Sequence, residues 1–397
     1  MTNEEVILDD LRKRQPVRFG VENFIVGHKS FLSEIDKILD NISTDAIGSD
    51  CRFIVGPSGS GKSSLIKAIK NLALSKKYVV CELSADMSSG IIRESNYFVE
   101  EIFKGLRTEQ PPHEKFWYDL LEEYSNNVIK SQLDEDSDSK SITEIIGILR
   151  NKVENDLLKY NILEPSFVNA IVSFVISTYL DDNESLERKA LILKWFIGEN
   201  LPISELNTLG ISTRINDRNS FQVLQSAVNM LIIMGLSGLV ILIDEFSQTI
   251  HQRLDSQVLK SYYLIQKLLD GNINRTFISI GALRETFDES DGKSIPNMSE
   301  QLLRRLPGHK SSISNPYTIT YVISSLRPTE MKELSKKIVM LYNEVHLHNA
   351  FDTNQLLDEL NERCTKNGTM YPSTLIDIAF ELLDEKRLKL DERDINS

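Results

Sequence analysis

The stretch FIVGPSGSGKSS, residues 53–64, decides the fold of this protein. An apolar run ends at Val55, a glycine-rich segment follows, and a pattern of helical period begins at Lys62. Residues 56–63 match GxxxxGK[ST] in full. Glycines permit backbone conformations that turn successive N–H groups toward a phosphate, and the following helix adds its positive N-terminus. The stretch therefore predicts a strand, a phosphate-binding loop and a helix.

Two side chains of this loop have a defined chemical task. Lys62 is expected to place its charge against the β- and γ-phosphates of a nucleotide, and the Ser63 hydroxyl is expected to bind Mg²⁺. A chance match in a glycine-rich turn is the alternative, which the position between a strand and an amphipathic helix disfavours. The residues expected to contact the nucleotide are Gly56, Pro57, Ser58, Gly59, Ser60, Gly61, Lys62, Ser63 and Ser64.

A second motif is the apolar run GLVILIDEFSQ, 238–248, which contains two adjacent acids. A buried parallel strand that stops at Asp244 and Glu245 puts both carboxylates at the carboxyl edge of a sheet, where such folds bind ligands. Asp244 is expected to hold Mg²⁺ through water, and Glu245 to orient or deprotonate the attacking water. Two acids that merely end a strand are the alternative, which the nearby phosphate-binding motif makes weak.

The spacing of the two motifs narrows the class of nucleotide-binding protein. Asp244 lies 244 − 62 = 182 residues after Lys62, and the strand pattern YVVCEL, 78–83, lies between them. The acids therefore come from a later strand, as in additional-strand P-loop ATPases. A GTPase would need NKxD after its switch region, but the near match NKVE, 151–154, precedes the acidic strand and ends in Glu. A small-molecule kinase usually lacks a strand that ends in Asp-Glu. An ATPase or an ATP-dependent switch remains.

Composition limits the compartment and the partners. The formal net charge is −13, from 45 basic and 58 acidic residues, which disfavours nucleic-acid binding through the whole surface but leaves room for a local basic patch. The three cysteines lie far apart without CxxC spacing, so a reduced compartment is expected. The N-terminal segment is charged, and the longest apolar run, 236–243, is too short to span a bilayer. We expect a cytoplasmic protein with no membrane segment.

The pattern along the 397 residues predicts three parts. Residues 1–50 form an N-terminal helical segment. Residues 51–325 form the α/β P-loop core, a parallel sheet interrupted by a helical block at about 91–235 that has no strong strand signal. Residues 326–397 form a C-terminal helical lid. The acidic stretch LDEDSDSKS, 133–141, is predicted to be a solvated loop rather than a ligand site.

Two arginines are candidate catalytic residues. The segment QLLRRL, 301–306, follows the strand after the acidic motif, where oligomeric ATPases place an arginine finger. Arg304 or Arg305 is therefore a candidate to reach the γ-phosphate held by a neighbouring subunit. An ordinary pair of surface arginines is the equal alternative.

Two positions that usually sense the nucleotide depart from expectation. A polar residue is expected at the end of the strand RTFISIGA, 275–282, yet Ala282 stands there, and Arg284 is a candidate substitute. The lid segment YPSTLIDIAF, 371–380, contains no arginine where one is expected, so slow hydrolysis is predicted. Near the N-terminus, Phe24, Ile25 and Val26 either frame an adenine or pin the N-terminal helix to the core.

Several segments together resemble the ATP-binding proteins of BREX-type phage-defence systems, a family similar to origin-recognition-like AAA+ and STAND ATPases. The resemblance covers roughly residues 6–325. Its Walker motifs are generic, and LKWFIGENLPISELNTLGI is the more specific segment. The segments, in chain order, are VILDDLRKRQPVRFGVENFIVGHKSFL, RFIVGPSGSGKSSLIKAIKNLAL, LKWFIGENLPISELNTLGI, GLVILIDEF, FISIGALRETF and SEQLLRRL.

This resemblance implies an AAA+-like core, ATP binding at Lys62, Ser63, Asp244 and Glu245, a prokaryotic host and a role in defence. Its implied partners are DNA, a second copy of the chain or other defence proteins. Two functions stay open. The first is an ATPase that couples ATP hydrolysis to DNA or partner proteins, which Glu245 favours. The second is an ATP-gated signalling switch with little turnover, which Ala282 and the absence of an arginine from the lid segment 371–380 favour.

Overall fold

The computed structural model of this chain describes residues 2–45, 48–84, 94–109, 115–133, 140–247, 254–271, 273–311, 313–346, 353–365 and 370–396. The strands are β1 (Ser49–Val55), β2 (Tyr78–Ser84), β3 (Leu106–Arg107), β4 (Gly238–Asp244), β5 (Thr276–Ala282) and β6 (Thr320–Val322). The helices before β4 are α1 (Asn3–Arg12), α2 (Lys29–Thr44), α3 (Lys62–Ser75), α4 (Ser95–Gly105), α5 (Phe116–Gln132), α6 (Ile142–Lys159), α7 (Pro165–Leu180), α8 (Asn183–Phe196), α9 (Ile203–Thr208) and α10 (Ser220–Ile233). Those after β4 are α11 (Asp255–Leu269), α12 (Ile295–Met298), α13 (Glu300–Arg304), α14 (Pro328–His346), α15 (Thr353–Thr365) and α16 (Pro372–Asn396).

Six strands form one sheet in the order β3-β2-β4-β5-β1-β6. All neighbours pair in parallel except β2 and β3, which are antiparallel. Strand β5 lies between β1, which leads into the phosphate-binding loop, and β4, which carries the acids. The predicted additional-strand α/β fold is thereby confirmed.

One short strand lies within the block at 91–235, which was predicted to be helical without a strong strand signal. Leu106 and Arg107 form the edge strand β3, in which Leu106 pairs with Cys81 and Arg107 with Val80. Two residues are too few to give a strand pattern in the sequence, and this strand forms because β2 offers a free edge to pair with.

Side chains of the central strands alternate between two hydrophobic cores, one on each face of the sheet. In β1, Phe53 and Val55 face one core and Ile54 faces the other. In β4, Ile241 shares the first core and Val240 the second. Because successive side chains of a strand point to opposite faces, continuous apolar runs such as GLVILI read as strands buried on both sides.

The inserted helices cover the first face. Helix α10 packs on β4, and α5, α7 and α8 pack on one another further out. Within this block the rings of Trp117 and Phe196 stack with centroids 4.5 Å apart. Residues 134–139, which hold most of the predicted acidic loop, lie outside the described residues.

The second face is covered by the N-terminal helices, α3 and the C-terminal helices α14–α16. Helix α1 packs against both α14 and α16, so the two ends of the chain meet. Arg12 forms two hydrogen bonds to the Asp384 carboxylate, of 2.6 and 2.8 Å, and its guanidinium lies 4.7 Å from the Phe380 ring centroid. The N-terminal segment is thus attached to the lid.

Candidate nucleotide-binding site

The loop at 56–61 connects the end of β1 to the start of α3. The Gly56 amide donates to the Ala282 carbonyl oxygen at 3.2 Å, which ties the start of the loop to β5. Gly59 and Gly61 have φ of +75° and +95°, conformations that L-residues with a side chain rarely adopt. The hydroxyl oxygen of Ser60 is buried without a hydrogen-bond partner among the described residues. A buried Ser60 hydroxyl without a partner fits a site in which a polar ligand supplies the missing hydrogen bond.

Lys62 begins α3 and folds back over the loop. Its Nζ donates to the carbonyl oxygens of Gly56 at 3.0 Å and Pro57 at 2.8 Å. Partial burial lowers the pKa of Lys62, while the negative charges of Asp244, Glu285 and Glu245 oppose that shift. The ammonium group therefore lies in the field of the acids that end β4.

The acids themselves occupy the turn after β4. The Glu245 amide donates to Asp244 Oδ1 at 2.8 Å, so Asp244 is held by the backbone of its neighbour. Glu245 is exposed and has φ of +57°, an unfavourable conformation for a residue with a Cβ. Such strain clusters at functional sites, where the surrounding structure maintains it. Both acids line the same cavity as Lys62 and Ser63.

Two neighbours of these acids escaped the sequence analysis. A Cβ on Gly281, in β5, would lie 2.8 Å from Asp244 Oδ1 and 2.9 Å from Ile66 Cδ1, so only glycine leaves room for the acid. Ser247 accepts a hydrogen bond from the Leu283 amide at 2.6 Å and lies 2.6 Å from the Thr286 hydroxyl. In the sequence, Gly281 could have been singled out as a glycine near the end of a predicted strand. No sequence pattern marks Ser247.

The cavity has a volume of about 350 Å³, which is sufficient for a small organic ligand. Its polar end is formed by the loop from Ser58 to Ser64 and by the two acids. Its apolar end includes Phe24, Ile25 and Val26. Ile25 and Val26 are also buried in the second core, so both roles considered for this segment have a structural basis. Gly56 and Pro57 support the loop from behind and do not line the cavity.

The lid reaches the loop directly. Pro372, Ser373 and Ile376, in the first turns of α16, line the cavity. The Ser373 amide donates to the Gly59 carbonyl oxygen at 3.2 Å. Arg14, from the end of α1, also lines the cavity, and its Nε donates to Asp377 Oδ1 at 2.9 Å.

Comparison with known proteins identifies the class of site. The profile of a family described as BREX system ATP-binding protein BrxC/D matches residues 2–379. The chain belongs to this family. It is an ATP-binding member, and the resemblance drawn from the sequence segments is confirmed.

A second similarity is local. Over 73 residues the chain is 34% identical to the phosphate import ATP-binding protein PstB 2 of Gloeobacter violaceus (strain ATCC 29082 / PCC 7421). This match covers 18% of the chain and 25% of that relative's length. A separate observation bears on membranes: within the described residues, every helix is too short or too polar to cross a bilayer.

Among the described residues, the predicted sensor and finger residues do not line the cavity. Ala282 is buried at the end of β5 and pairs with Val55. Arg284 donates to the Ile323 carbonyl oxygen at 3.0 Å and lines a second cavity, with His309 and Lys310. Arg284 does not line the cavity formed by the loop and the acids in this structure.

Arg304 and Arg305 also lie outside the cavity of their own chain. Arg304 pairs with Glu300 one helical turn away at 2.6 Å and is 76% exposed in its side chain. Arg305 Nε donates to Asp270 Oδ1 at 2.7 Å. A catalytic role for either arginine would require the cavity of a second copy.

Proposed function

We propose that this chain hydrolyses ATP with Mg²⁺ and couples turnover to DNA or to partner proteins of a phage-defence system. The observation that supports this best is that Lys62, Ser63, Asp244 and Glu245 line one cavity, although 182 residues of sequence (244 − 62) separate Lys62 from Asp244. A phosphate-binding loop, a metal ligand and a candidate base in one cavity are the components that nucleotide hydrolysis needs.

The residues present fit magnesium. Mg²⁺ prefers oxygen ligands and is usually bound by one or two carboxylates together with substrate phosphates. Ser63 and Asp244 line the cavity and offer a hydroxyl and a carboxylate. When bound, the ion would neutralise charge on the phosphates. Ser63 and Asp244 would hold it, and Asp244 is already oriented by the Glu245 amide.

The chain's own residues would divide the remaining work. Lys62 would exchange its hydrogen bonds with the Gly56 and Pro57 carbonyl oxygens for charge-assisted bonds to phosphate, which are stronger. Glu245, exposed in the cavity, would orient a water and accept its proton. Arg304 or Arg305 of a second copy would stabilise charge on the transferred phosphoryl group.

The test is ATP turnover by the purified chain with and without double-stranded DNA. We expect hydrolysis in the wild type, ATP binding without hydrolysis in Glu245→Gln, and loss of binding in Lys62→Ala. The amide introduced by Glu245→Gln keeps the shape of the side chain and cannot accept the proton. Turnover in Glu245→Gln at the wild-type rate would remove Glu245 from its role. Stimulation by DNA would support DNA as the coupled partner.

A second candidate function is an ATP-gated switch with little turnover. Two observations favour it: buried Ala282 stands where a polar side chain is expected, and the described lid residues that line the cavity, Leu334, Pro372, Ser373 and Ile376, are uncharged. The same assay separates the functions. A switch would bind ATP with dependence on Lys62, show negligible turnover under all conditions, and change its partner binding or oligomeric state with ATP.

A further inference from the structure

Arg14 is a cationic residue of the cavity that the proposed chemistry does not use. Among the described residues, the basic side chains that line the cavity are Arg14, His28 and Lys62. Lys62 belongs to the phosphate-binding loop. Burial lowers the pKa of His28 to about 4, so His28 is neutral at neutral pH. Arg14 is thus a permanent positive charge of the cavity that lies outside the loop.

The backbone holds Arg14 in an unusual conformation. Helix α1 ends with the Arg14 amide donating to the Leu11 carbonyl oxygen at 3.0 Å and the Gln15 amide donating to the Asp10 carbonyl oxygen at 2.9 Å. In this termination the residue at position 14 is left-handed, with φ of +56°. Glycine usually occupies that place because it has no Cβ to strain. An arginine here is strained, and its side chain is directed toward the lid and the cavity.

The side chain of Arg14 uses only some of its hydrogen-bond donors in its contact with Asp377. Its Nε donates to Asp377 Oδ1 at 2.9 Å, and its Nη2 lies 2.7 Å from Asp377 Oδ2. Its Nη1 has no hydrogen-bond partner among the described residues, and the side chain is 65% exposed. A guanidinium has five donors in a planar fork, so this ion pair leaves donors available for a second anion.

The anchor of Arg14 is close to the phosphate-binding loop. Asp377 follows Ser373 by four residues on α16, a separation of about 6 Å along the helix axis. Ser373 itself contacts Gly59. Arg14 and the loop residues 58–64 line one cavity, so Arg14 borders the space in which the loop would hold a phosphate.

We propose that Arg14 binds a phosphate of the nucleotide and thereby takes the place of the arginine that is absent from the lid segment 371–380. Asp377 orients the guanidinium, and α1 and the lid respond to the nucleotide as one unit because Arg12 joins α1 to Asp384. This inference rests on the proposed nucleotide site. It assigns to the N-terminal segment a ligand-binding residue that is 363 positions away from Asp377.

The test compares the affinities of ATP, ADP and adenosine for the full chain by equilibrium titration. Arg14→Gln should weaken ATP binding about tenfold, because a charge-assisted hydrogen bond to phosphate is lost. Its adenosine affinity should stay within about twofold of the wild type, since adenosine has no phosphate. Arg12→Gln is the matched control: it breaks the neighbouring ion pair between α1 and the lid without touching the cavity, and its ATP affinity should match the wild type.

Asp377→Asn tests whether Arg14 binds phosphate or only holds α1 against the lid. With Arg14 present and its competing carboxylate removed, ATP affinity should stay well above that of Arg14→Gln. Equal losses in Arg14→Gln, Asp377→Asn and Arg12→Gln, or a loss that is the same for ATP and adenosine, would overturn the inference. Lys62→Ala distinguishes the two proposals. If it binds ATP like the wild type, the proposed function fails; if it loses ATP while Arg14→Gln binds normally, only the role of Arg14 fails.

Discussion

The amide nitrogen of Ser373 donates a hydrogen bond to the carbonyl oxygen of Gly59 at 3.2 Å. Ser373 lies in the first turn of the lid helix α16, and Gly59 lies in the phosphate-binding loop. The contact is close enough that a Cβ on Gly59 would lie 2.0 Å from Ser373 Oγ. A change in the loop therefore cannot be accommodated without moving the lid.

Gly59→Ala should disturb both stability and ATP binding. The new methyl group meets Ser373, and φ of +75° strains any L-residue. Gly235→Ala is a matched control, because Gly235 has φ of +77° and open space around the added Cβ. We expect Gly59→Ala to lower the free energy of unfolding by about 1–3 kcal/mol more than Gly235→Ala, and to weaken ATP binding, which Gly235→Ala should leave intact.

Chemical denaturation and ATP titration of both variants would measure this difference. Adding Ser373→Gly to Gly59→Ala removes the atoms that clash and should recover most of the lost stability. Equal stability of the two alanine variants would show that the loop and the lid move apart easily.

Glu245→Gly should stabilise the fold while it abolishes hydrolysis. Glu245 has φ of +57°, and replacing it with glycine relieves roughly 1 kcal/mol of backbone strain. Glu245→Ala is the control, because it also removes the carboxylate but keeps the strained conformation. Thermal unfolding should rank Glu245→Gly above Glu245→Ala, with both inactive. The opposite rank would mean that the conformation at this position costs nothing.

The arginines after β5 should act only between subunits. Arg304 and Arg305 lie outside the cavity of their own chain, and among the described residues Arg304 pairs with Glu300 alone, an exposed ion pair that is weak. The double variant Arg304→Ala/Arg305→Ala should lose up to about 10³-fold in turnover with little change in ATP affinity. Arg304→Ala alone should account for most of the loss, since Arg305 is engaged by Asp270.

A mixing experiment tests the transfer between subunits. Lys62→Ala and the double arginine variant are each expected to be inactive, but a mixed interface would pair an intact loop with intact arginines. Partial recovery of turnover on mixing is expected. No recovery, together with a monomeric mass in saturating ATP, would favour the switch.

The free energy of unfolding should decrease as the pH is lowered from about 6.5 to about 4, because His28 has a lower pKa in the folded chain than in the unfolded chain. Burial lowers the pKa of His28 from 6.5 to about 4; Glu330 opposes the shift, and Arg327 contributes to it. His28 therefore takes up a proton below about pH 6.5 in the unfolded chain, but only near pH 4 in the folded chain. The stability is present above pH 6.5, and is lost as the pH falls from there to about 4.

The size of this effect is about 2 kcal/mol, after a discount for the partial exposure of His28. His28→Gln, which retains a polar partner for the Tyr321 hydroxyl now 2.7 Å from Nδ1, should show a smaller fall over the same window. Denaturant unfolding at pH 7, 5.5 and 4.5 compares the two proteins. Parallel curves would mean that His28 titrates normally in the folded state.

The central strands, the phosphate-binding loop and the place of the acids at a strand end could be predicted from the sequence. These features depend on neighbours in the chain: a run such as GLVILI can only be buried, and glycines at fixed spacing permit only certain loops. For the same reason the helical pattern predicted to begin at Lys62 corresponds to α3, which begins at that residue.

The tertiary structure alone decided which distant residues meet. Leu106 and Arg107 form a strand because β2 has a free edge, and Gly281 is restricted because Asp244 lies against it. Arg14 meets Asp377 because α1 packs on the lid, across 363 positions of sequence. No local pattern encodes such contacts. They follow from how apolar faces of separate elements are buried together, which brings polar side chains from both ends of the chain to one cavity.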